Sequence, residues 1–182
     1  MLEFNFSPFP VIETERLILN RITEKDVSEI FALRSNPEIM KYIPRPLAKT
    51  TDDALEHIQM IKDKIETNTG INWAIRLKND PKLFGFIGFY RLQPENYRAE
   101  IGYMILPEFH GKGFVPEAVK RLTKYGFEDL KLHSIEAVID PENYASEKVL
   151  QKCDFIKEAH FKESDFYEGK FLDKVIYSLL DK

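Results

Sequence analysis

The sequence predicts an α/β (α+β) fold, with one mixed central sheet of about seven strands flanked by about four helices. Three observations lead there. Apolar residues recur at helical spacing in separate segments. Three strand-like runs follow one another with turn residues between them, as in an antiparallel meander. A strand then alternates with helices near the end of the chain, which a pure meander does not do.

The elements follow in order. Residues 1–11 (MLEFNFSPFPV) carry aromatics and two prolines and read as an extended arm on a single domain spanning 1–182. Arg16–Arg21 is a short apolar strand. Thr23 to Asp26 opens a helix, since a Thr cap accepts an orphan N–H and acidic residues suit the positive helix end. Asn36-Pro37 stops it, and the prolines of 37–50 predict a loop. Thr51 caps a second helix with the stripe Leu55, Ile58, Ile61 and Ile65. The meander strands are Asn72–Leu77, Leu83–Leu92 and Tyr97–Leu106. A helix from Phe114 to Asp129 follows, then the strand Ser134–Asp140. Pro141 suits a first helical position and opens a helix to Lys152. Phe155–Phe161 and Lys170–Leu180 end the chain as strands joined at Glu168-Gly169.

Composition narrows the function. A net charge of −4 argues against broad binding to nucleic acid or anionic membrane, while leaving room for a local basic pocket. One cysteine, Cys153, allows no intrachain disulfide and agrees with a reducing compartment; it reads as a small buried residue. No CxxC or HExxH spacing supports a metal site. No signal peptide or membrane-length apolar run is visible, so the expected location is the cytoplasm.

The chemistry concentrates in Glu100–Val119, EIGYMILPEFHGKGFVPEAV. A strand runs into a loop with Gly111 and Gly113, and a helix starts at once. Glycines let backbone approach an anion, and a helix start offers unpaired N–H groups with a positive dipole end. Lys112 adds charge. A bare GxG before a helix is also simply a turn. The segment is neither a Walker loop nor a dinucleotide fingerprint, because Pro116 stands where the third glycine belongs.

Glu100-Ile101-Gly102-Tyr103, Pro107, Gly111-Lys112-Gly113-Phe114 and Glu117-Ala118-Val119 together resemble the acetyl-CoA motif of the RimJ/RimL-type branch of the GNAT N-acetyltransferase superfamily. Asp140 to Ser146 with Val149, Leu150 and Phe155 agrees, as do Thr14 to Leu19 and Gly169 with Asp173 and Tyr177 to Leu180. The resemblance implies a sheet splayed between Tyr97–Leu106 and Ser134–Asp140, with the pantetheine arm of acetyl-CoA in the split. It implies that backbone of Met104, Ile105 and Leu106 pairs with that arm, and that amides of His110, Gly111, Lys112, Gly113, Phe114 and Val115 hold the pyrophosphate. Asn143 is then a pantetheine ligand, although helix-start chemistry is its alternative. Two departures stand out: Glu108 where Gln or Arg is usual, expected to face solvent, and Asp154 where Gly is usual, which puts a local turn in question.

Amide formation from a thioester needs a neutral amine, a stabilised oxyanion and a proton for the thiolate. Glu100 is the candidate base through water; a surface carboxylate paired with Arg91 or Arg98 is the competing reading. The tyrosine that many family members use as acid falls at Leu150 here, so the resemblance points to Ser146, with Tyr144 as second donor. His110 touches phosphate or solvent, His133 packs at a strand start, and Trp73 is core or acceptor wall. By the same resemblance, the segment Asn36–Leu47 forms one acceptor wall.

Deprotonating a lysine amine at pH 7 costs roughly 4–5 kcal/mol, against about 1 for an α-amine. A protein N-terminal α-amine, such as that of a ribosomal protein, therefore leads as acceptor for the expected monomer or homodimer. A small-molecule amine and a non-catalytic acyl-CoA-binding role are the alternatives.

Overall fold

The computed structural model describes residues 1–181. Its centre is one eight-stranded sheet in the order β1-β2-β3-β4-β5-β6-β8-β7. The strands are β1 Ile12–Glu13, β2 Leu17–Arg21, β3 Ile71–Leu77, β4 Asp80–Gln93, β5 Arg98–Ile105, β6 Ser134–Ile139, β7 Ile156–Tyr167 and β8 Lys170–Leu180. Five helices join them: α1 Val27–Ser35, α2 Pro37–Met40, α3 Thr51–Glu66, α4 Phe114–Glu128 and α5 Tyr144–Lys152.

The strand and helix beyond the expected seven and four are β1 and α2. β1 has two residues, too few to show a period. α2 lies inside the predicted loop. Asn36-Pro37 ends α1, yet it also starts a new turn, because Asn36 Oδ1 accepts the N–H groups of Glu38 and Ile39 at 2.9 and 3.4 Å. Proline at a first helical position loses no hydrogen bond. Two starts move. Thr50, not Thr51, caps α3, and the buried stripe is Ala54, Ile58, Ile61 and Ile65, with Leu55 exposed. α5 begins at Tyr144 rather than Pro141, because Asn143 supplies the cap.

Every strand pair is antiparallel except β5 with β6, which are joined through α4, as a parallel pair requires. That parallel pairing lasts three residues: Arg98 with Ser134, Ala99 with Ile135 and Glu100 with Glu136. Beyond Glu100 the two strands separate, while β5 stays paired with β4 to Ile105. The expected splay therefore lies where the resemblance put it, and its apex is the Glu100–Glu136 pair.

The sheet buries both faces. Trp73 meets Tyr125 of α4 edge-on at 5.8 Å, and Gly126 gives Phe89 and Ile135 room against that helix. Trp73 is fully buried and donates its indole N–H to Pro10 O at 2.7 Å, so its core reading holds. On the opposite face His57 of α3 lies against Phe86 at 5.8 Å. Asp26 and Arg76 pair at 2.9 Å and tie the start of α1 to β3. Asp154 keeps the left-handed turn at φ +64°, a conformation that Asp tolerates better than most residues.

Candidate active site

β5 supplies the site's frame. Leu106 N–H donates to Phe84 O at 2.8 Å, and alternation along the strand then turns the main-chain groups of Met104 and Gly102 toward β4 as well. Those of Tyr103 and Ile105 face the gap that β6 vacates. Of the three expected backbone ligands, only Ile105 turns its main-chain groups to the open edge, and there its N–H is free. Met104 and Leu106 are corrected on this point because β4 uses theirs, and Tyr103 joins instead.

Gly111 and Gly113 have φ of +71° and +78°, so the loop before α4 is left-handed at two alternate positions. Phe109 and His110 spend their N–H groups on Leu106 O and Pro107 O, at 3.0 Å each. The His110 amide therefore leaves the expected anion cradle. Its ring reaches Ile105 O at 3.3 Å, which ties the loop to the gap edge of β5. The amides of Gly111, Lys112, Gly113, Phe114 and Val115 have no acceptor among the described residues. Pro116 has no N–H, and Glu117 N–H closes the first helical bond on Gly113 O at 3.2 Å. A run of unpaired amides at a helix start fits a pyrophosphate. Phe114 and Val115 bury their side chains, which fixes the direction of those amides. Glu108 is exposed, as expected.

The start of α5 faces the same gap. Asn143 Oδ1 accepts Ser146 N–H at 3.1 Å, so its oxygen caps the helix, and the helix-start reading holds for that atom. Its Nδ2 has no partner among the described residues. Ser146 is half-buried, whereas Tyr144 is 64% exposed. Tyr103 Oη lies 3.5 Å from Ser146 O. Sequence reasoning passed over Tyr103 because a tyrosine on a strand reads as packing. Burial pushes its hydroxyl above the usual phenol range.

Glu100 stands at the apex, with Arg91 Nη2 at 3.6 Å. Burial first, then the facing Glu136, raises its carboxyl above the usual range against the opposing pull of Arg91. Glu136 is itself tied to Arg98 at 2.8 Å. Of the two readings for Glu100, the paired one is present in a long, half-exposed form, and the carboxylate still holds its proton more tightly than normal.

On the Glu100 face, Tyr90 lies over Gly102, where a Cβ would come within 2.6 Å of its ring, and Asn72 lies over Gly88. His57 Nε2 and Asn72 Nδ2 are buried without partners among the described residues. Burial, then Arg34, Arg45 and Lys64, lowers His57 to about 4, so its ring is neutral at pH 7. These residues carry no motif and lie far apart in sequence. Cys153 is buried and burial pushes it up to about 11, in keeping with an inert thiol.

Several known proteins resemble the chain. Residues 16–156 match the model of the acetyltransferase (GNAT) domain. The chain is 37% identical to an uncharacterised N-acetyltransferase, YoaA, of Bacillus subtilis, over 94% of this chain and 97% of that one. It is 35% identical to the putative ribosomal N-acetyltransferase YdaF of the same organism, over 57% and 56%. A spermidine N(1)-acetyltransferase of Vibrio cholerae is 28% identical over 92% and 95%. A GNAT-family acetyltransferase structure from Bacillus anthracis superposes with a TM-score of 0.85 at 29% identity, covering 94% of this chain and 98% of that one. The chain belongs to the GNAT acetyltransferase family, and it is an N-acetyltransferase that uses acetyl-CoA, with the RimJ/RimL-type features already described. Among the described residues no helix is long and apolar enough to cross a membrane.

Proposed function

We propose that the acceptor is a protein N-terminal α-amine, which attacks the thioester directly in the cytoplasm. The observation that carries this reading is Glu100 at the apex of the splay, with its carboxyl raised above the usual range. A carboxylate shifted toward neutrality is a better base at working pH, yet one such group working through water suits an α-amine near 7.8 better than a lysine near 10.4. That the relative YdaF is a putative ribosomal N-acetyltransferase supports a ribosomal acceptor.

In this reading Glu100 takes the amine proton through water, and the nitrogen lone pair adds to the thioester carbonyl carbon. Main-chain N–H groups of the gap edge at Tyr103 and Ile105 stabilise the oxyanion. The C–S bond then breaks and the electron pair leaves with sulfur. The Ser146 hydroxyl donates a hydrogen bond to the departing thiolate, with Tyr144 and Tyr103 as further donors. Amides of Gly111 to Val115 hold the pyrophosphate, and Asn143 Nδ2 is available to the pantetheine.

The small-molecule alternative has its own support in the spermidine acetyltransferase relative. Thiol release from acetyl-CoA, measured with N-terminal peptides, lysine side-chain amines and spermidine in parallel, tests the choice. Rapid release with peptides blocked at lysine but free at the N-terminus is the expected result. Release with spermidine alone overturns the reading.

A further inference from the structure

Arg34 ends α1 half-buried, and no carboxylate among the described residues pairs with it. Its Nη1 contacts only Met40 Sδ, at 3.6 Å. It lines a cleft of about 330 Å³ with Pro46, Leu47, Ala48, Lys49 and Asp53, and Asp53 is itself committed to the Lys49 and Thr50 amides at 2.7 and 2.9 Å. A guanidinium withdrawn from water without a counter-charge is costly unless something supplies one.

Its surroundings sharpen the point. Arg34 and Arg45 both act on Tyr90 and on His57, so the two guanidiniums lie on the Tyr90–His57–Asn72 side of the sheet. Glu100 also acts on Tyr90. The Tyr90 ring, which lies over Gly102 two residues from Glu100 on β5, therefore stands within electrostatic reach of both guanidiniums and of the apex carboxylate. The neutral His57 Nε2 adds a buried polar atom without a partner among the described residues, and the Asn72 side chain adds a second polar group beside the Tyr90 hydroxyl. A face that carries both a carboxylate and unpaired cationic groups suits an acceptor with both an amine and an anion.

Resting on the proposed N-terminal acceptor, we infer that this acceptor carries a carboxylate close to its reacting amine, and that Arg34 and Arg45 hold the carboxylate while Glu100 faces the amine. His57 and Asn72 complete the polar lining. The same charges oppose a polyamine, whose second ammonium would meet Arg34, Arg45 and Lys64. An acidic residue directly after the N-terminal residue of a peptide supplies such a carboxylate, and so does the α-carboxylate of a free amino acid.

The test compares kcat/KM for peptides that differ only at the second residue, Glu, Gln or Lys, alongside free glutamate and spermidine. The expected order is Glu, Gln, Lys, with Glu over Lys by about tenfold or more, the ratio that one good charge contact supports. R34Q and R45Q should each shrink the Glu-over-Gln ratio through KM, while calorimetric acetyl-CoA affinity stays as in the parent. Arg45 is exposed, so R45Q keeps the test valid if R34Q fails to fold. Peptides used without charge preference, or a preference that survives both substitutions, overturn this inference and leave the N-terminal acceptor standing. Arginine-dependent turnover of free glutamate with no peptide turnover does the reverse. Spermidine as the best acceptor, or thiol release with no acceptor in the panel, overturns both.

Discussion

Arg16 and Glu117, 101 residues apart, form a forked ion pair: Arg16 Nη2 and Nε reach Glu117 Oε2 at 2.6 and 2.7 Å. The other carboxylate oxygen accepts from the Thr14 hydroxyl and the Arg16 N–H. Arg16 also donates to Lys112 O at 3.0 Å and covers the Phe114 ring at 4.5 Å. The start of β2 thus clamps the glycine loop from outside. Two sequence segments that resemble the family separately, Thr14 to Leu19 and Gly111 to Val119, are one structural unit.

Glu117→Gln should destabilise the fold by about 1 kcal/mol, since hydrogen bonds to a charged, half-buried group are weakened. Burial works against ionisation of Glu117, but the Thr14 and Arg16 contacts outweigh it and hold the carboxyl below its usual range. A depressed carboxylate contributes stability that is present above the unfolded-state pKa and lost as pH falls through the folded one. Thermal melts of parent and variant should therefore differ near pH 7 and converge in acid. A gap that is constant with pH would show that the charge is not what matters.

Gly113→Val should leave a folded protein with weakened acetyl-CoA binding. At φ +78° a β-branched residue is strained by about 1–2 kcal/mol, and the loop relieves that strain by turning its amides away. Circular dichroism checks the fold and calorimetry the affinity. Parental affinity in a folded variant would remove the loop from the cofactor site.

Glu100→Gln separates the two readings of that carboxylate. As a base, its loss lowers kcat/KM and removes the rise in rate as pH passes the raised carboxyl value. The stability sign is opposite to that of Glu117. A carboxyl raised by burial favours its protonated form in the fold, so its contribution is present at low pH and lost as pH rises through the folded value. The variant should melt no lower than the parent at pH 7 and turn over more slowly. A lower melting temperature with an unchanged pH–rate profile would mark Glu100 as the structural partner of Arg91.

Ser146→Ala should lower kcat by about a hundredfold with little change in acetyl-CoA affinity, the low end of proton-donor effects. Tyr144→Phe should change little, because that ring is 64% exposed. Tyr103→Phe serves as the third arm. A loss confined to Tyr103→Phe would move thiolate assistance to β5.

The parts of this architecture that repeat or strain locally were readable from residue order. The α4 stripe, the Glu168-Gly169 turn with φ of +46° and +79°, and the glycine loop all announce themselves within a few neighbours. Register is another matter. Whether Met104 or Tyr103 turns its main chain to the gap depends on which residue β4 sets opposite, and Leu106 against Phe84 decides it. The Asn36-Pro37 pair was legible as a stop but not as a new start, because the same side chain serves both. The cluster of Arg34, His57, Asn72 and Tyr90 was invisible for a deeper reason. Four elements contribute one residue each, and nothing local links them.

The two sides of the splayed sheet differ in what they are made of. The side proposed for the donor offers peptide groups: the open edge of β5, the amides after Gly111 and the first turn of α4. The side proposed for the acceptor offers side chains, drawn from α1, α3, β3, β4 and the segment after α2. Main-chain N–H groups are common to all residues except proline, so the donor side is inherited whenever the two glycines and the clamp survive. Side chains change with single nucleotides. The chain thus combines a half that drift can hardly alter with a half that drift can rewrite, and selection for a new acceptor would start from an enzyme already able to hold its acetyl donor.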